Sequence, residues 1–117
     1  MKDKVKYTLA IISLFLIDRL FKILVVSYLK TTVTLIPNVL SLTYVKNIGA
    51  AFSLMEGKTP LLIIISLIAF FFLYKELITR KNRPIINLSY ILILGGILGN
   101  FYDRLVLSYV IDYISVI

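Results

Sequence analysis

The chain has 117 residues, of which 60% are apolar, and its formal net charge is +7. This length suits a single domain, and the apolar content lies far above the range of soluble globular proteins, so the composition indicates a membrane protein. The sequence has no Cys and no His, which excludes disulfides, zinc sites of the Cys/His type and every triad with an imidazole base. Any catalysis must therefore use carboxylates, Lys, Tyr, Ser or Thr, and we expect no metal and no cofactor.

The basic residues stand mainly at the ends of apolar runs. Residues 1–6 carry three Lys against one Asp, and residues 75–83 carry four basic residues against one Glu. Clusters of this kind set the orientation of membrane helices, and they do not form the continuous basic surface that nucleic acid requires. We therefore expect no nucleic-acid partner.

The first long apolar segment, residues 7–29, is predicted to be a membrane helix. It differs from a secretion signal because Asp18, Arg19 and Lys22 interrupt it and no small-residue cleavage site follows. Asp18 and Lys22 are four residues apart, so on a helix they lie on one face and can form an ion pair. Arg19 is expected to extend its charged group towards the membrane surface. The functional alternative is that Asp18 and Lys22 brace a polar cavity inside the helix bundle.

Residues 30–59 have a different character and are predicted to lie outside the bilayer core. Val39–Lys46 is rich in β-branched and aromatic residues in rough alternation, which favours one or two short strands. Asn47–Ser53 (NIGAAFS) follows, with small residues around one amide. Composition alone predicts a turn leading into a short helix there.

Two further membrane helices are predicted at residues 60–79 and 84–106. Each begins with a proline, a residue favoured in the first helical turn, and each contains a long uncharged run. The fold class is therefore an all-α membrane protein with three transmembrane helices and a small extracytoplasmic β-rich segment, forming one membrane-embedded domain over residues 1–117. The positive-inside rule places the N-terminus and the basic loop at 75–83 in the cytoplasm.

The last helix leads into a stretch with several polar groups in apolar surroundings. Gly95 and Gly99 form a small-xxx-small pair that would allow another helix to approach closely. Ionisable residues at membrane depth are usually paired or functional. The polar residues in question are Asn100, Asp103, Arg104 and Asp112.

Two aspartates on one segment suggest an aspartic peptidase, in which two carboxylates act on one water. Along a continuous helix, however, Asp103 and Asp112 would be separated by about 13.5 Å and would point to opposite sides. Either the chain bends sharply after Arg104 or each Asp has another role. Asp103 is expected to cap the helix or to pair with Arg104.

Three motifs in this order carry a resemblance to a known family. GGILGNFYDRL followed by VIDYI closely resembles the third signature of the lipoprotein signal peptidases (signal peptidase II). NIGAAFS resembles their Asn-x-Gly-Ala-Ala-Phe motif, and Asp18 to Lys22 is similar to their first-helix Asp-x-x-x-Lys. Together the motifs cover nearly the whole chain.

The resemblance implies a bacterial intramembrane aspartic endopeptidase without a cofactor. Such enzymes cleave signal peptides from prolipoproteins immediately before the diacylglyceryl-modified cysteine. The implied partners are that signal peptide and membrane lipids. The implied location is the bacterial inner or plasma membrane, which the chain crosses several times with its N-terminus in the cytoplasm.

The resemblance also implies roles for individual residues. Asp112 matches the first catalytic aspartate. Other polar residues match the lining of the site and hold the substrate backbone: Asn47, Asn100 and Arg104. A third group matches structural polar positions: Asp18, Lys22 and Asp103. The strands expected before residue 47 would form the family's extracytoplasmic cradle.

The resemblance is incomplete at the C-terminal end. Family members continue with a Phe-Asn-x-Ala-Asp motif on a fourth helix, whose aspartate completes the catalytic pair, whereas this sequence stops at Ile117. The chain is therefore expected to be a C-terminally truncated member that does not cleave prolipoprotein as it stands.

Two other classes remain as alternatives. One is a non-catalytic small membrane protein that binds lipid or peptide. The other is a small multidrug-type transporter that uses a membrane carboxylate for proton coupling, which leaves NIGAAFS unexplained. Cleavage of a lipobox peptide distinguishes the peptidase from both.

Overall fold

The computed structural model describes residues 2–49 and 56–116, and within them it contains three helices and three strands. In chain order they are α1 (Lys2–Tyr28), β1 (Val33–Ile36), β2 (Leu40–Asn47), α2 (Thr59–Thr79), α3 (Pro84–Leu107) and β3 (Val110–Val116). Helices are found at all three predicted segments, with α1 starting earlier than expected, and the count of three membrane spans stays a prediction. The short helix expected within NIGAAFS falls largely on residues 50–55, outside the described residues.

The ends of α2 and α3 follow from local chemistry. Both helices carry a proline in the first turn, where the missing N–H leaves no hydrogen bond unmade. Helix α3 ends because Ser108 adopts the left-handed conformation (φ 68°), and its N–H bonds to the carbonyl of Arg104 at 3.1 Å. The chain therefore bends after Arg104, and the site described below shows that Asp103 also has another role.

The three strands form one antiparallel sheet in the order β1-β2-β3. The turn between β1 and β2 contains Pro37 and then Asn38, whose φ of 60° suits an asparagine. The strands expected before residue 47 are confirmed. The prediction of a purely α-helical core with β structure only in residues 30–59 is wrong in one respect: β3, from the C-terminal tail, pairs with β2 from Leu40↔Val116 to Asn47↔Val110.

The helices pack with α3 against both α1 and α2, whereas α1 and α2 touch each other little. The centre of the packing is a cluster of fully or nearly buried residues: Ile11, Leu77, Ile91 and Leu94. Large apolar side chains elsewhere on the helices face outward, as on a surface in contact with lipid. In the described part of the chain, α2 and α3 are long and apolar enough to cross a membrane, and α1 is interrupted by charged residues.

The close approach of α1 to α3 depends on two glycines. A Cβ atom at Gly95 would lie 2.8 Å from the Cβ of Leu14, and one at Gly99 would overlap the carboxylate of Asp18. The expectation that these two glycines admit another helix is confirmed, and the helix they admit is α1. Gly96, between them in sequence, has nothing within 4 Å of the same position.

Candidate active site

Asn47 and Asp112 meet where β2 ends and β3 begins. Asn47 pairs with Val110 and Asp112 pairs with Val45, so the two polar side chains are diagonal neighbours on the sheet. The Nδ2 of Asn47 donates a hydrogen bond to Oδ2 of Asp112 at 2.8 Å. The resemblance assigned Asn47 and Asp112 to one site, and the hydrogen bond confirms that they lie close together.

Gly49 connects this pair to α3. The Oδ1 of Asn47 accepts a hydrogen bond from the N–H of Gly49 at 2.8 Å, which fixes the orientation of the amide. The carbonyl of Gly49 accepts a hydrogen bond from Nη2 of Arg104 at 3.2 Å. We call Asn47, Gly49, Arg104 and Asp112 the strand-end site. It contains one amide, one guanidinium and one carboxylate, each supplied by a different part of the chain.

A second polar group, which we call the charge cluster, consists of Asp18, Arg19, Lys22, Asn100 and Asp103. Asp103 is 0% exposed and forms ion pairs with Lys22 (2.8 Å) and Arg19. The expectation that Asp103 caps the helix or pairs with Arg104 is wrong. Consecutive residues on a helix point about 100° apart, so Asp103 faces α1 while Arg104 faces the strand-end site.

Lys22 organises the charge cluster. Its ammonium contacts Asp18 at 3.1 Å, Asp103 at 2.8 Å and the Oδ1 of Asn100 at 3.0 Å. The predicted Asp18–Lys22 ion pair is confirmed. Asn100 was expected beside Asn47, Arg104 and Asp112, whereas its side chain bonds to Lys22 within the charge cluster.

Arg19 does not extend towards the membrane surface as expected. Its side chain is only 16% exposed, it binds the carboxylates of Asp103 and Asp18, and its guanidinium lies 4.5 Å from the centre of the Tyr102 ring. The physical reason is charge balance, since two carboxylates in apolar surroundings need two cations. Charge counting alone does not identify Arg19 as this second cation, because Arg104 stands beside Asp103 in the sequence.

The strand-end site and the charge cluster are joined by neighbouring residues of β3. The N–H of Ile111 donates to Oδ2 of Asp103 at 3.1 Å, and the next residue is Asp112. Tyr113 lies near both groups: burial raises the pKa of its phenol, and the Asp18 and Asp112 carboxylates raise it further because they disfavour a phenolate. The position of Asp112 therefore depends on contacts at both sites.

This arrangement can support acid–base chemistry on a peptide. A carboxylate oriented by an amide can accept a proton from water, and amide and guanidinium groups can bind a peptide backbone. Within residues 2–49 and 56–116, no group of three or more carboxylate residues is placed to hold a metal ion.

Comparison with known proteins gives consistent matches. The family model described as signal peptidase (SPase) II matches residues 10–117. A lipoprotein signal peptidase of Caldicellulosiruptor bescii is 40% identical over 111 residues, covering 94% of this chain and 73% of that protein. One from Clostridioides difficile is 44% identical over 109 residues, covering 92% and 74%. The chain thus spans about three-quarters of the length of these relatives.

Two solved structures of bacterial membrane enzymes are also similar. One superposes with a TM-score of 0.81 at 25% identity, covering 96% of this chain and 70% of that structure. The other has a TM-score of 0.76 at 26% identity, with coverages of 95% and 74%.

Proposed function

The chain belongs to the signal peptidase II family, and from this premise we propose that it removes signal peptides from prolipoproteins by aspartic catalysis at the strand-end site. The observation that carries the proposal is the hydrogen bond between Asn47 and Asp112, with Arg104 bound to the same loop. It brings a carboxylate and peptide-binding groups from distant parts of the chain to one place.

Asp112 is proposed as a catalytic carboxylate. Asn47 orients it through Oδ2, and in the proposed reaction the carboxylate accepts a proton from water while the water oxygen attacks the scissile carbonyl carbon. Cleavage of the C–N bond then requires a proton on the departing amine. The proton that Asp112 took from water balances this step, and in an aspartic pair a second carboxyl group delivers it. We do not assign this role to Asp18 or Asp103, because both are held by cations of the charge cluster.

Asn47, Asn100 and Arg104 are proposed to bind the substrate backbone. Arg104 lies at the strand-end site, and Asn100 lies one turn earlier on α3 with its Oδ1 held by Lys22, which leaves the amide nitrogen of Asn100 for the substrate. Their amide and guanidinium groups complement the N–H and C=O groups of an extended peptide. In the proposed complex, the scissile bond precedes a diacylglyceryl-modified cysteine whose acyl chains remain in the lipid. Structural roles are proposed for Asp18, Lys22 and Asp103.

We place all three helices across the plasma membrane, with the N-terminus and the loop at 75–83 in the cytoplasm. Helix α1 has 27 residues, about 40 Å at 1.5 Å per residue, which exceeds the hydrocarbon core of about 30 Å. Its internal charges are balanced by ion pairs with α3. A hydrogen bond of 2.7 Å between Thr8 and Tyr74 sets the start of α1 beside the end of α2, so the two basic clusters lie at one end of the bundle.

Single-cysteine labelling tests this orientation. Because the sequence has no Cys, the introduced residue is the only thiol in these 117 residues that the reagent can label. Thr34→Cys in β1 and Lys81→Cys in the basic loop are both at exposed positions. In intact cells, a membrane-impermeant maleimide should label the first and not the second, and permeabilisation should expose the second. Labelling of Lys81→Cys from outside would reverse the proposed topology.

The function itself is tested with a synthetic lipobox peptide that carries a diacylglyceryl-modified cysteine. Membranes containing the protein, expressed from its own gene, should cut the peptide immediately before that cysteine, as measured by mass spectrometry. Absence of cleavage would instead agree with the expectation from sequence that residues 1–117 alone do not cleave prolipoprotein. The same peptide with an unmodified cysteine is the substrate control, and membranes without the gene are the enzyme control. Binding of the lipidated peptide without cleavage would instead favour a non-catalytic peptide-binding protein.

A further inference from the structure

We infer that Arg19 is a positioning residue for Asp112, because through the buried carboxylate of Asp103 it holds the stretch of main chain that carries Asp112. This inference rests on the proposed catalytic role of Asp112. Arg19 occupies one of the unspecified positions of the Asp-x-x-x-Lys pattern, so the motif assigns it no role.

The contacts of Asp103 show how Arg19 can position β3. Arg19 binds Oδ1 of the Asp103 carboxylate, while Lys22 (2.8 Å) and the N–H of Ile111 (3.1 Å) bind Oδ2. With one oxygen held by Arg19, the other is directed at β3. Charge-assisted hydrogen bonds of this kind are roughly twice as strong as neutral ones. Arg19 therefore sets the rotation of the carboxylate that Ile111 binds.

Ile111 has a particular need for this acceptor. Strand β3 lies at the edge of the sheet, so the N–H groups that point away from β2 have no strand partner there. Ile111 is only 6% exposed, and a buried N–H without a partner is costly. Asp103 supplies the missing acceptor. Because consecutive Cα atoms are about 3.8 Å apart, a shift at Ile111 is transmitted directly to Asp112.

Lys22 cannot replace Arg19 in this role. An ammonium group has three donors, and those of Lys22 already contact Asp18, Asn100 and Asp103. Removing Arg19 would also leave two carboxylates with one cation around an Asp103 side chain that is 0% exposed. An uncompensated charge of this kind is unfavourable in a buried site and is relieved by movement or protonation of the carboxylate.

The geometry of Arg19 further requires a guanidinium. The same nitrogen, Nη2, contacts Asp103 and also Asp18 at 3.4 Å, while the guanidinium carbon lies 4.5 Å from the centre of the Tyr102 ring. A planar cation can stack on an aromatic ring and bind carboxylates in its plane, whereas a lysine supplies only the charge. Arg19→Lys should therefore restore the charge balance and only part of the positioning.

The test is hydrogen–deuterium exchange of the Ile111 amide in the detergent-solubilised protein. In Arg19→Gln this amide should exchange about tenfold faster or more, with an intermediate rate in Arg19→Lys. The matched control is Arg80→Gln, which removes an arginine that is 70% exposed and paired with Glu76 on α2. The control should leave the Ile111 rate unchanged.

Two exchange outcomes would overturn the inference. An unchanged Ile111 rate in Arg19→Gln shows that Asp103 keeps its orientation without Arg19. A uniform increase across all helices, with no partial recovery in Arg19→Lys, shows a general structural role instead. A faster rate confined to the start of β3 supports positioning.

The cleavage assay provides a second readout. Since Arg19 makes no proposed contact with substrate, Arg19→Gln should lower kcat by about tenfold while KM stays within about twofold. The unsubstituted protein could fail to cut the lipobox peptide while the Ile111 exchange rates respond as expected. In that case the proposed function is wrong, and the conclusion that Arg19 positions β3 is still supported. The two claims therefore fail independently.

Discussion

Asp112→Asn should abolish prolipoprotein cleavage, with kcat/KM falling by about 10²- to 10⁴-fold, the contribution typical of a catalytic acid or base. The substitution preserves the size and planarity of the side chain, so the hydrogen bond from Asn47 has an oxygen to accept it. What it removes is the ability to take a proton from water. Residues that act as a unit lose most of their catalytic effect when one is removed, so the decrease should be large.

The assay is cleavage of the diacylglyceryl-modified lipobox peptide at equal amounts of folded protein. Asp3→Asn is the matched control, because it makes the same chemical change at an exposed position in the first turn of α1. It should cleave at the original rate. Loss of a catalytic group should leave far less than about a tenth of the activity. If Asp112→Asn retained more than that, the catalytic assignment of Asp112 would be wrong.

Gly95→Ala and Gly99→Ala should each destabilise the protein by about 1–3 kcal/mol, the usual effect of overpacking a well-fitted interface. At Gly95 the new methyl group would lie 2.8 Å from the Cβ of Leu14, which is too near the main chain to move aside freely. At Gly99 it would displace the carboxylate of Asp18, which Lys22 and Arg19 hold in place.

Gly96→Ala is the control for both variants, since nothing lies within 4 Å of the added atom. It should be neutral or stabilising by up to about 1 kcal/mol, because alanine favours a helix more than glycine does. Denaturation of the three variants in mixed detergent micelles gives their relative stabilities. Equal destabilisation by all three would mean that helix flexibility, and not the α1–α3 contact, is what the glycines provide.

Much of the architecture was predictable from local sequence. The apolar runs and their starting prolines located α2 and α3, because a membrane helix needs about 20 apolar residues and has its hydrogen bonds within one segment. The β-branched alternation before residue 47 located β2 for a similar local reason. The family resemblance also assigned Asn47, Asn100, Arg104 and Asp112 to one site. The hydrogen bonds around Gly49 connect three of them, whereas Asn100 bonds to Lys22.

The partners of the buried charges were decided only by the tertiary structure. Strand β3 forms because the left-handed Ser108 turns the chain back towards β2. The two strands are far apart in sequence: Asn47 and Asp112, which form a hydrogen bond, are separated by 65 residues. Asp103 binds Arg19 and Lys22, rather than the neighbouring Arg104, because two glycines bring α1 against that side of α3. Local pattern determines which segments are helices and strands, since their hydrogen bonds and apolar faces depend on near neighbours. It does not determine which carboxylate meets which cation, because that depends on the packing of segments far apart in the chain.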